Sequence, residues 1–158
     1  MVVLESCKKQ RPTVLSFLYL LLKMISKRTK YGIKALAYIA RIGDLKPIQT
    51  HVIAESENIS LKYLESILIE LRKNGILASK KGKGGGYYLL KPANETKMTH
   101  VMRVLEGPIA MVPCVSLNYY EKCDDCPDET SCSVNKLMIQ VRDNMLAIYK
   151  NTYLSDLI

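Results

Sequence analysis

Histidine is scarce in this chain: of 158 residues only His51 and His100 carry an imidazole. Both fall in helix-like stretches far from the cysteines, where a surface or capping role is the ordinary one. There is no serine–histidine–acid set, no pair of carboxylates at a working separation and no Gly-x4-Gly-Lys-[Ser/Thr] nucleotide loop. An enzyme is therefore not expected. Membrane-length apolar runs are missing too. Val14–Leu22 follows Lys8, Lys9 and Arg11 in the outline of a signal-peptide core, yet it ends at Lys23 without a small-residue cleavage site. Its nine residues fall short of the roughly 20 that a bilayer span requires, so no membrane partner is expected. Internal repeats and low-complexity tracts are absent. The five cysteines are an odd number, with Cys7 apart from the rest, which suits a secreted disulfide framework poorly. A cytoplasmic metal or redox site fits such clustered thiols better.

What is present begins with charge. Nearly half of the residues are apolar, enough for a real core. The net charge of +8 is unevenly spread. Residues 24–91 carry thirteen basic and five acidic side chains, whereas residues 92–158 carry six basic and nine acidic. A cationic module is joined to a mildly acidic one. Neutralising phosphates releases condensed counterions, so the cationic half suits a nucleic-acid face; a solvated lysine-rich surface is the plainer alternative. Residues 1–23 read as an N-terminal extension, with Met24 the expected biological start and the preceding segment expected to be dispensable.

Periodicity divides the rest. Tyr31, Ile33, Ala35, Leu36, Ile39, Ala40 and Ile42 repeat at helical spacing and predict a helix over 26–42. A short helix follows over 50–56, with Val52 and Ile53 facing inward. Glu57-Asn58 makes a turn, since asparagine tolerates the left-handed conformation. Ser60 is expected to cap a third helix, 61–74, with Tyr63, Leu64, Ile67, Leu68 and Leu71 as its buried stripe and Gly75 as its stop. Two short strands, 76–80 and 87–90, flank the glycine-rich tip Lys81-Gly82-Lys83-Gly84-Gly85-Gly86. Thr99 is expected to start a fourth helix, about His100 to Glu106, stopped by Gly107-Pro108. A cysteine loop precedes a long helix over 134–150, and Thr152 is expected to cap a terminal helix, 154–158.

Helix, helix, turn, helix and a glycine-tipped hairpin in a basic segment describe a mainly α protein. Its winged helix-turn-helix domain spans 24–92, and the cysteine loop with the dimerisation helices spans 93–158. In that architecture the third helix enters the major groove of double-stranded DNA and its first residues meet base edges. Here those residues are Ser60, Lys62, Tyr63, Glu65 and Ser66. Glu65 would accept from a cytosine amino group. Lys80, Lys81 and Lys83 at the wing tip would reach a minor groove or phosphates. Val134, Leu137, Met138, Val141, Met145 and Ile148 share one face of the last helix. A solitary terminal helix needs something against which to bury such a face, and a second copy, as a homodimer, is one solution.

Cys114, Cys123, Cys126 and Cys132 fall within nineteen residues, close enough for four thiolates to converge on one metal centre. All-thiolate donation suits an iron–sulfur cluster of the 2Fe-2S type. It equally suits tetrahedral zinc, for which Cys-x2-Cys is a common half-site. A metal-free thiol switch is the third reading.

The runs Ser60-Leu61-Lys62-Tyr63-Leu64-Glu65, Leu71-Arg72-Lys73-Asn74-Gly75 and Lys81-Gly82-Lys83-Gly84-Gly85-Gly86-Tyr87 resemble the iron–sulfur-regulator (IscR- and NsrR-like) family of bacterial winged-helix transcription factors. The resemblance covers Met24–Ile158. It implies a winged-helix homodimer in which the long last helix crosses its partner. It also implies that Glu65 discriminates DNA sites and that Lys81 enters the minor groove. Lys81 stands where the family often has arginine, keeping the charge without the planar fork. The cysteines depart from the family pattern of three at x5 spacing plus a histidine. Cys126-x5-Cys132 fits, but Tyr120 stands six residues before Cys126, and Asn135 replaces the histidine three residues after the last cysteine. The resemblance thus implies a regulator whose operator affinity follows a thiolate-ligated centre. The alternatives are a zinc-stabilised or thiol-switch regulator, and a metal-carrying adaptor that binds protein through its basic face.

Overall fold

A computed structural model describes residues 25–43 and 46–158. The extension 1–23, with its expected dispensability, lies outside the described residues.

Helix α1 (Lys27–Ile42) begins where Ser26 supplies a cap, its hydroxyl oxygen accepting the Thr29 N–H at 3.1 Å. Its buried side, Thr29, Gly32, Ala35, Leu36 and Ile39, keeps helical spacing. Helix α2 (Thr50–Glu57) ends at Asn58, which takes the left-handed conformation at φ 51°. Eight residues give α2 little inward surface. Ile53 and Ala54 fill it, and Val52, expected inward, is 37% exposed. Helix α3 (Leu61–Lys73) buries Leu64, Ile67, Leu68 and Leu71 completely. Tyr63 does not join that stripe. It stands at the stripe's edge, 38% exposed, with its ring edge-on to Tyr31 at 5.9 Å. Ser60 holds the N-cap position in extended conformation, but its hydroxyl makes no capping bond and stays exposed.

Strands β1 (Leu77–Lys80) and β2 (Gly86–Leu89) pair antiparallel, Leu77 opposite Leu89 and Lys80 opposite Gly86. Ile48, in the connection before α2, extends this hairpin through a bridge to Tyr87. The bridge presses the Ile48 carbonyl against Gly86, where a Cβ would sit 2.1 Å from the oxygen. Only glycine fits there, and its φ of 151° also lies where side chains are rarely found.

Helix α4 (Met98–Leu105) starts just before Thr99, the expected first residue, and Thr99 is buried within it. The cause is long-range. The chain returns after its last long helix, and Met98 N–H donates to the Thr152 carbonyl while Leu154 N–H donates to the Thr96 carbonyl, both at 2.9 Å. Helix α5 (Ser133–Asn151) is that long helix. The terminal segment Leu154–Leu157 is a 3-10 turn capped by Tyr153 and Asp156, not by Thr152, whose hydroxyl donates back to the Ile148 carbonyl. Leu154 is fully buried, so the C-terminus closes the same core that holds Leu36, Ile53, Leu64, Leu71 and Val101. The architecture is the expected mainly helical winged helix with a long C-terminal helix.

Candidate nucleic-acid interface and cysteine site

Packing of α3 on its Leu64/Ile67/Leu68/Leu71 side leaves the opposite side to solvent. Ser60, Lys62, Glu65 and Ser66 are all exposed there, with the partly exposed Tyr63 beside them. The Ser66 hydroxyl donates to the Tyr63 carbonyl at 2.7 Å. Lys80, Lys81 and Lys83 are exposed at the tip of the hairpin. The Gly85 N–H closes that tip onto the Gly82 carbonyl at 2.9 Å. Among the described residues none of Lys62, Lys80, Lys81 and Lys83 is ion-paired, and Glu65 has no cationic partner. Other cations are neutralised: Lys34 and Arg41 both meet Glu57, at 2.9 and 3.0 Å. Lys62 on α3 and Lys80, Lys81 and Lys83 on the wing are thus exposed and free of ion pairs, on the two elements a winged helix presents to a duplex. His51 and His100 are both exposed and take no part in the cysteine site; His100 Nε2 lies 3.0 Å from the Asn74 carbonyl.

The cysteine site is built between the turn Pro113–Val115 and the start of α5. Cys114, Cys123, Cys126 and Cys132 line one open cavity of about 440 Å³, together with Val112, Asp125 and Asn135. All four are half-buried free thiols. Their proximity shows in their acidities. The Cys114 thiol beside Cys123 is the first cause holding Cys123 above the ordinary thiol range, with desolvation and Asp125 adding to it. Desolvation comes first for Cys126, followed by the charge of Cys132, and both push it up. Among the described residues no three histidine, cysteine or acidic groups gather closely enough to hold one metal ion.

Cys132 is also the N-cap of α5, its sulfur accepting the Asn135 N–H at 3.4 Å. The Asn135 side-chain amide donates to the Cys114 sulfur at 3.6 Å. Arg142, about two turns beyond Asn135 on α5, donates to the Val115 carbonyl at 2.7 Å and so anchors the turn that carries Cys114. Tyr120 donates to Glu129 across the loop at 2.5 Å, and that bond is the first cause holding its phenol above the ordinary tyrosine range.

The donor set fits a thiolate-ligated cluster in its chemistry: four cysteines line one cavity, with N–H donors to the sulfurs of Cys114 and Cys132. Four thiolates are the donor number that a 2Fe-2S centre takes.

Residues 25–158 match the Rrf2 family of iron-dependent transcriptional regulators. The chain belongs to the Rrf2 family. It is 36% identical over 138 residues to an Rrf2-like HTH-type transcriptional regulator of Rhodobacter capsulatus, covering 85% of this chain and 92% of that one. Among solved structures it resembles CymR, the global cysteine regulator of B. subtilis, with a TM-score of 0.69 and 30% identity over 84% of this chain and 94% of that one. IscR of T. potens superposes with a TM-score of 0.67 at 25% identity, covering 87% and 88%. The protein is thus a DNA-binding transcriptional regulator of the Rrf2 family, not an enzyme. Among the described residues no helix is long and apolar enough to cross a membrane.

Two residues that shape these sites were not legible beforehand. Ile48 positions the wing through backbone bonds that no side-chain pattern signals. Asn135 was visible only as a substitute for a histidine. Its position three residues after an N-cap, where a backbone N–H points back at the cap, is the signal that links it to Cys132.

Proposed function

We propose that this Rrf2 regulator binds its operator as a homodimer and that an iron–sulfur cluster of 2Fe-2S type, held by Cys114, Cys123, Cys126 and Cys132, sets its operator affinity. One observation carries the reading: the four thiols surround a single cavity whose wall is the first turn of α5. Ligation would hold the Pro113–Val115 turn against α5, adding to the Arg142 bond already there. If α5 is the dimer helix, it sets the separation of the two α3 helices. Half-site spacing is the quantity that operator binding senses.

The dimer reading rests on how little of α5 one chain covers. Of its nineteen residues only Asn135 and Leu146 are buried. Val134 and Leu137 are each 55% exposed and Ile148 62%, while Met138, Val141 and Met145 are half-buried. A contiguous apolar face of this kind marks an interaction surface. On DNA, Ser60, Lys62, Tyr63, Glu65 and Ser66 read base edges, with Glu65 accepting from cytosine. Lys81 enters the minor groove at the wing tip, and Lys80 and Lys83 lie on phosphates.

The test is protein purified without oxygen. Visible absorption together with iron and sulfide analysis should find a cluster, and its removal should shift operator affinity at fixed salt. Iron-free, colourless protein whose DNA binding does not change when all four cysteines become alanine would overturn the cluster reading.

A further inference from the structure

We propose that Asn135 is a positioning residue of the cysteine centre, holding the sulfurs of Cys114 and Cys132 together and tuning the centre's reduction potential. The inference rests on the cluster reading given above. Among the described residues Asn135 is the one side chain that donates an N–H to any of the four sulfurs, its amide reaching Cys114 Sγ at 3.6 Å. Its backbone N–H donates to Cys132 Sγ at 3.4 Å. Cys114 and Cys132 are the two ends of the cysteine motif, so a single residue bridges the widest sequence separation in the site. Asn135 is only 8% exposed, and it lines the cavity itself. A polar side chain is buried when its bonds are met, and here the bond partner is sulfur.

The chemistry follows from what an N–H does to a thiolate. A donor draws electron density from the sulfur and favours the more negative, reduced state of the centre, so hydrogen bonds to cluster sulfurs move the potential. The backbone donor comes from the first turn of a nineteen-residue helix, whose N-terminus adds a positive partial charge beside Cys132. The amide has no acidic proton at neutral pH and ligates metals weakly compared with thiolate. Its contribution is therefore orientation and polarity, with the four thiols left to ligate.

The experiment uses full-length protein purified and loaded anaerobically. Midpoint potentials are read by spectroelectrochemistry for the parent, Asn135→Ala, Asn135→Leu and Asn135→Gln. Ala removes the donor; Leu removes it while filling the volume, which keeps the test decisive if the alanine variant folds poorly. Both should lower the potential by the equivalent of about tenfold in the reduced-to-oxidised ratio, ~59 mV for one electron. Gln, which retains the amide, should recover part of the shift. Loaded variants with the parent's potential would overturn the role of Asn135 and leave the cluster reading intact. A parent protein without iron would overturn both.

Discussion

The main chain of Ile48 exchanges both of its hydrogen bonds with Tyr87, N–H to carbonyl at 2.9 Å and carbonyl to N–H at 2.8 Å. This pair ties the segment leading into α2 to the strand leaving the wing tip. The position of Lys81 relative to α3 is therefore held from two sides, by the β1–β2 ladder and by a residue more than thirty positions upstream.

Gly86→Ala should break that tie. The added Cβ meets the Ile48 carbonyl and the backbone is held at a φ unfavourable to side chains. A loss of about 2–4 kcal/mol in stability is expected. Thermal unfolding followed by circular dichroism measures it. DNA affinity should fall in the folded fraction as well, although residue 86 is not assigned a DNA contact.

Lys81→Ala should weaken binding to all duplexes and reduce the slope of log affinity against log salt by about one unit per lost phosphate contact. Glu65→Ala should change which sites are preferred while leaving the salt slope alone. Binding isotherms on a panel of promoter fragments at several salt concentrations separate the two. Parent-like behaviour of both variants would remove these residues from the interface.

Leu137→Asp should leave the single chain folded, because that side chain is more than half exposed. In a dimer joined through α5 it would bury an unpaired charge at a cost of several kcal/mol. Sedimentation should show monomer, with lost operator affinity. A variant that stays dimeric would place the interface elsewhere.

Tyr149 predicts an alkaline limit. Burial first, and the nearby charge of Glu106 second, push its phenol above the ordinary tyrosine range. The folded state therefore holds the phenolic proton more tightly than the unfolded state. That contribution is complete below about pH 10, the unfolded value, and is lost as pH rises through the folded one. Tyr149→Phe should unfold at a temperature whose gap from the parent is constant below pH 10 and moves in favour of the variant above it. Parallel curves across that range would refute the assignment.

Much of the winged helix was legible because its signals are local. The α1, α2 and α3 boundaries fall within two residues of those read from periodicity, the Asn58 turn and the glycine after Asn74. The two residues misplaced there, Val52 and Tyr63, both stand next to a true core position, Ile53 and Leu64. Helical spacing alone does not say how wide a strip the rest of the fold will cover, and α2 and α3 are covered only narrowly. The exact start of α4, one residue early, and the last cap depend on something else. Both are set by bonds between Thr96–Met98 and Thr152–Leu154, more than fifty residues apart, which leave no periodic trace.

The cysteine site divides along the same line. Sequence alone puts Cys123, Cys126 and Cys132 in one loop, because no helical or strand pattern runs between them. Charge and glycine placement likewise determined that the middle of the chain is a cationic winged helix, since those properties belong to residue types and their order. Tertiary structure decided what faces what. It set Asn135 between Cys114 and Cys132, Arg142 beneath the Val115 carbonyl and Ile48 against Gly86. Each of these contacts needs α5, or the segment before α2, to be held at one distance from a distant loop. That distance is fixed by packing of the common core around Leu36, Leu68, Val101 and Leu154, a cooperative property that no local stretch carries.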